Sequence, residues 1–179
     1  DNPMRILLAP NEDDIVKSMS VRDVSITDTT CQIAYPIHDP SVTVQSIRDD
    51  KFRVTIPSSW NMTVTGTLFA CDYGASSRWF DVLCCPEFID NIRKIEVAIQ
   101  NAIPNCESVI TRTRQSKFAA KHYTDSPAEK VLLDGRSQSF EEIQRMGRMH
   151  VDAHVQVPYA YVKDGSAIVW IVIQHLMRA

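Results

Sequence analysis

Apolar and polar positions alternate most cleanly near the end of the chain. His150, Asp152, His154 and Gln156 interleave with Val151, Ala153, Val155 and Val157, the period-two signature of a strand with one wet and one buried face. Asp164-Gly165 follows as a hairpin corner, since glycine takes positive φ freely and aspartate tolerates it. From Ala167 to Met177 the chain is apolar at nearly every position, with Ile168, Val169, Trp170, Ile171, Val172 and Ile173 in a row. That run predicts a strand covered on both sides, with Trp170 buried in it.

Upstream, Met4–Ala9 forms a short apolar run. Five further segments are rich in Val, Ile, Thr and aromatics, at Val21–Thr27, Cys31–Ile37, Ser41–Ile47, Lys51–Pro57 and Met62–Cys71. Asp, Pro, Ser and Asn clusters separate them at intervals of about ten residues, the spacing of a β-sandwich or barrel. Phe52, Val54 and Ile56 are expected to point inward and Arg53 and Thr55 outward. Arg78–Cys85 is a further strand. Pro86 then opens a helix, with Phe88, Ile92, Ile95, Ile99 and Ala102 at three- and four-residue steps and Pro104 as the stop. Ser108–Gln115 is compatible with a strand, and Lys117–Tyr123 is undecided by periodicity. Ser126-Pro127 marks a loop. Ser139-Phe140-Glu141-Glu142 is a capping box opening a short helix that Gly147 would end. The expectation is a mostly-β single domain over 1–179: an OB-like Greek-key barrel with one amphipathic helix (86–103) and a C-terminal β-hairpin.

Composition narrows the class only a little. With 179 residues, 44% hydrophobic and 23% charged, the chain can bury a core and is not a disordered polymer. A net charge of -3 argues against dedicated duplex binding, yet the charge is uneven. Nine acids stand against four bases in residues 1–50, whereas Arg112, Arg114, Lys117 and Lys121 occur in a stretch without an acid. The five cysteines, Cys31, Cys71, Cys84, Cys85 and Cys106, are odd in number and lack a C-x-x-C pair, so neither a disulfide framework nor a zinc ribbon is expected. An intracellular, reducing compartment is the easier reading. No apolar run reaches the ~18 residues of a membrane span, and no signal peptide is recognised.

Chemistry is sparse. His150, Asp152 and His154 share a strand face as metal ligands do, but any exposed strand has such a face, and no metal or cofactor is expected. Cys84-Cys85 precedes a helix start, which favours a thiolate, yet cysteines closing an apolar strand usually belong to the core. No phosphate loop, serine elbow or zinc-protease motif is present, so no catalytic residue is assigned. The strongest pointer runs from Arg112 to Tyr123. Its cations can follow a phosphate backbone, while Phe118 and Tyr123 offer faces to bases. Arg78-Trp79-Phe80 repeats the theme, and Tyr159 and Tyr161 follow the polar strand. Arg112, Arg114, Lys117 and Lys121 are therefore expected to hold phosphates, and Trp79, Phe118, Tyr123 and Tyr159 to stack on bases.

Val155-Gln156-Val157-Pro158-Tyr159, Gly165 to Leu176 and the helical stretch Pro86–Ile103 together resemble a known family. It comprises the replication-type single-stranded DNA-binding proteins of T-odd phages and their relatives in large nucleo-cytoplasmic DNA viruses. The likeness covers about a third of the chain and rests on pattern. It implies an OB barrel with an inserted helix that coats single-stranded DNA in replication or repair, without catalysis or metal. The family's acidic, aromatic-tipped tail has no counterpart before Arg178-Ala179. The expected partner is single-stranded nucleic acid, and a homo-oligomer is compatible with the pattern. The competing reading is a viral coat or minor capsid β-sandwich acting through self-association.

Overall fold

The computed structural model describes residues 41–56, 62–72, 78–122 and 130–179. The apolar run Met4–Ala9 and the strands expected at Val21–Thr27 and Cys31–Ile37 lie outside them, as do the Ser126-Pro127 loop and Tyr123. The described chain is mostly β with two helices. In order it forms β1 (Thr43–Arg48), β2 (Lys51–Thr55), β3 (Thr63–Asp72), β4 (Arg78–Leu83), α1 (Pro86–Ala102), β5 (Ser108–Ile110) and β6 (Thr113–Arg114). There follow β7 (Lys117–His122), β8 (Lys130–Leu133), β9 (Arg136–Ser139), α2 (Phe140–Met146), β10 (Met149–Lys163) and β11 (Ser166–Arg178).

The last two strands are the spine. Lys163 pairs with Ser166 across a two-residue turn in which Asp164 (φ 52) and Gly165 (φ 80) are both left-handed, the geometry that matches strand twist. The other edge of β10 takes β3 along Met149–His154 and β2 along Tyr159–Tyr161. The other edge of β11 takes β5, β7 and β8 in succession, all parallel to it. Because β3 also pairs with β4, and β4 with β7, the ladder path β3-β4-β7-β11-β10 returns to β3. Only the β7–β11 step of this five-strand circuit is parallel.

Cross-strand partners share a face, so the registers define an inner surface. Val64, Leu68, Phe80, Val82, Phe118, Ala120, Val151, Ala153, Val155, Ile173 and Leu176 form it, and all are buried. Phe118 meets Phe88 of α1 at 5.3 Å between ring centroids, and Phe80 meets Phe140 of α2 at 5.4 Å. The two helices thus pack toward opposite ends of the β4–β7 ladder. Helix α1 buries Phe88, Ile92, Ile95 and Ile99, the stripe its spacing predicts. Helix α2 begins with the expected capping box, Ser139 Oγ accepting from Glu142 N at 3.1 Å while Ser139 N donates to Glu142 Oε1 at 2.7 Å. Ser139→Ala should cost about 1 kcal/mol in a urea melt; no change would show that tertiary packing alone holds this helix.

The structure changes three expectations and settles one undecided segment. The segment Ser108–Gln115 is two short strands, because the chain leaves β11 at Ile110 and joins β7 at Thr113. Lys117–His122 is a strand whose every side chain is buried. Strand β11 is not covered on both sides throughout, since Ile168 and Trp170 are only half-buried. Also, Cys85 is disulfide-bonded, against the expectation of reduced thiols, whereas Cys71, Cys84 and Cys106 carry no disulfide.

Candidate nucleic-acid interface

The outer face of the circuit carries a continuous row of rings and cations. It begins where β2 borders β10. Tyr159 pairs with Arg53 and Tyr161 with Lys51, so both pairs project from one surface. Lys51 Nζ lies 4.4 Å from the Tyr159 ring centroid and 5.6 Å from that of Tyr161, and Arg53 Cζ lies 5.6 Å from Tyr159. On β11, Trp170 is the cross-strand partner of Tyr159 and stands 6.0 Å from the Tyr161 ring. Trp79 of β4 comes next, 5.8 Å from Trp170 and tilted by 39°. Lys121 of β7 serves both indoles, its Nζ 4.2 Å from the Trp79 centroid and 4.9 Å from that of Trp170. Arg112 closes the row, with Cζ 4.2 Å from Trp79.

Local backbone explains how Arg112 arrives there. It occupies the switch between β5 and β6 with φ 57, a left-handed conformation that costs a non-glycine residue ~1–2 kcal/mol. Its carbonyl accepts from Ala119 N of β7 at 3.1 Å, which ties the switch to that strand. Burial lowers the pKa of its guanidinium from the usual very high value, and its Nε is buried without a hydrogen-bond acceptor. Each cation–ring contact contributes ~0.5–2 kcal/mol, more where water is excluded. Trp79 is only 4% exposed, so it is the floor on which Arg112 and Lys121 rest. Tyr159, Tyr161 and Trp170 are half-buried and keep part of each ring at the surface.

The structure therefore divides the expected site. Arg112, Lys121 and Trp79 come together, Tyr159 lies at the far end of the same row, and Arg114 lies beside Arg112 in β6. Phe118 does not face outward; it is 0% exposed because its register partner is Val82 on the inner face. Lys117 is likewise 0% exposed, set diagonally from buried Asp81 on the β4–β7 ladder. Trp79 supports cations and does not offer a stacking face. Sequence reasoning missed Lys51, Arg53, Tyr161 and Trp170 as members of the row. The available signal was the outward parity of Arg53 against Phe52 and Val54, and the i, i+2 spacing of Tyr159 and Tyr161.

The other candidates dissolve into ordinary packing. Asp152 accepts a hydrogen bond from the Thr65 hydroxyl, and His154 meets His175 edge to face at 4.7 Å. Among the described residues, no three His, Cys, Asp or Glu side chains converge as a metal site would require. Burial pushes the Cys84 thiol far up, the opposite of nucleophile activation. Among the described residues no helix is long and apolar enough to cross a membrane. Compared with known proteins, the chain matches no family model, no curated protein and no solved structure.

Proposed function

We propose that this chain binds single-stranded nucleic acid, without base readout and without catalysis, along the row from Arg53 to Arg112. The row itself carries the reading. Half-exposed rings separated by cations are what a flexible strand needs, because bases stack on the rings while phosphates meet Lys and Arg. Architecture supports it. Numbered along the chain, the circuit strands β3, β4, β7, β10 and β11 pair in the order 1-2-3-5-4-1, with strands 3 and 5 parallel and α2 between strands 3 and 4. That is the order of an OB-type barrel, whose face on strands 2 and 3 and whose loop between strands 4 and 5 bind oligonucleotides. Trp79 and Lys121 lie on those two strands, and Tyr161 stands three residues before the Asp164-Gly165 turn that joins the last two. Coating of single-stranded DNA in replication or repair is the role that the resemblance to the phage and viral replication proteins adds.

The test is fluorescence anisotropy with labelled oligothymidine, and with a duplex of equal length, over a salt series. Wild type should prefer the single strand and weaken steeply with salt. Tyr159→Ala should cost ~1–3 kcal/mol of binding free energy, and Lys51→Ala should reduce the salt slope by about 1. Absence of binding at low salt, with assembly seen by light scattering, would replace this reading with the self-associating coat subunit.

A further inference from the structure

Beyond Arg112, at the end of the row, α1 and the β5–β6 segment border an open cavity of about 320 Å³. Its polar walls are Arg93 and Glu96 of α1, Thr111 and Arg112 at the strand switch, and Thr113 and Arg114 of β6. Among the described residues, this lining carries three guanidinium groups and one carboxylate. The carboxylate is itself informative. Glu96 Oε2 accepts from Arg93 Nη1 at 2.7 Å and from the Thr111 hydroxyl, which lies 3.0 Å from the Thr113 hydroxyl. One anionic oxygen is thus already held by an arginine and a threonine, the donor set that also suits a phosphate oxygen.

We infer that this cavity is a phosphate-binding pocket in which Glu96 occupies part of the anion's place. The source of the phosphate rests on the single-strand reading: Arg112 belongs to both the ring row and the pocket, so a strand lying on the rings delivers a phosphate to it. A backbone diester and a terminal monoester share this chemistry, and the dianionic monoester gains more from three arginines. A bound phosphate displaces the Glu96 carboxylate from Arg93. Glu96 therefore weakens the site, and neutralising it strengthens it.

The experiment uses the full chain and three oligothymidines: hydroxyl-ended, 5′-phosphorylated, and methylphosphonate-substituted. Glu96→Gln, which keeps an acceptor for Thr111, should tighten binding by about tenfold, and Arg114→Ala should weaken it by about as much. A gain from Glu96→Gln on the 5′-phosphorylated oligomer alone identifies the terminal monoester as the ligand. An equal gain on the hydroxyl-ended oligomer, lost on the methylphosphonate one, identifies the backbone. If wild type binds the strand and both variants match it, the pocket inference is overturned while the single-strand reading stands. If wild type binds no strand, inorganic phosphate is titrated against the arginine Nε–Hε NMR signals. Shifts at Arg112 and Arg114, enhanced in Glu96→Gln, then keep the pocket with free phosphate as its ligand. Unmoved signals remove the pocket as well.

Discussion

Replacing Lys117 by methionine should destabilise the protein by about 2–3 kcal/mol at pH 8, the cost of protonating or leaving uncompensated the buried carboxylate beside it. Lys117 and Asp81 are almost wholly inaccessible on adjacent strands. Burial pushes the Asp81 carboxyl up to about 6, against which a 3.2 Å hydrogen bond from Cys71 Sγ and the Lys117 ammonium both pull down. Without Lys117 the carboxylate becomes costlier still, and the site stays protonated to higher pH. Adding Asp81→Asn to Lys117→Met should restore most of the loss, a coupling that urea melts of the four variants measure as a double-mutant cycle. The pH sign follows from the raised value. The folded chain binds the Asp81 proton more tightly than the unfolded chain, whose carboxyl titrates near 3.8. Its contribution is fully present below pH 3.8 and is lost as pH rises through about 6, by ~3 kcal/mol in all. The double variant should lack this fall. Lys117→Met melting like wild type at pH 8 would mean that the pair is not coupled.

Gly66→Ala should be comparably damaging for a steric reason. Gly66 lies on the inner face of β3 opposite Val151, and a β-carbon there would stand 2.2 Å from the Leu83 carbonyl oxygen and 3.2 Å from Val82 Cγ1. The first neighbour is backbone at the end of β4, so relief requires moving a strand and not a side chain. A loss of ~3 kcal/mol or more is expected, or roughly 10 °C in melting temperature. An unchanged melt would show that β3 and β4 can slide apart freely at this point. Gly135→Ala makes a useful contrast, since nothing lies within 4 Å and only its left-handed φ of 82 resists.

What could be read from the residues follows from how local each signal is. The α1 stripe, the Ser139 capping box and the Asp164-Gly165 turn depend on neighbours within four positions, and each appears in the structure. The β8–β9 hairpin went unpredicted although Asp134-Gly135 repeats the same corner, because its strands are only four residues each. Strand β7 stayed undecided because Lys117, Lys121 and His122 read as solvent-facing letters, yet burial beside a carboxylate and between two indoles accommodates the lysines. The ring row was hidden for a related reason. Within six consecutive apolar residues, nothing local distinguishes Trp170, which borders the surface, from Ile171, which does not. Lys51 and Tyr159 meet only through the β2–β10 register, a pairing of distant segments that periodicity cannot supply.

The parallel step between β7 and β11 also sets an order of events during synthesis. Strand β11 is the last of the five circuit strands to leave the ribosome, and among the described strands it alone pairs with both β7 and β10. Until it emerges, a nascent chain leaves unpaired the long β10 edge and the Lys121–His122 end of β7, the kind of surface on which foreign strands add. Closure must also wait for contacts distant in sequence, the slow class of folding step. A polypeptide of this design acquires its outer row of rings all at once, when β11 slots between its neighbours and carries Trp170 into place beside Trp79.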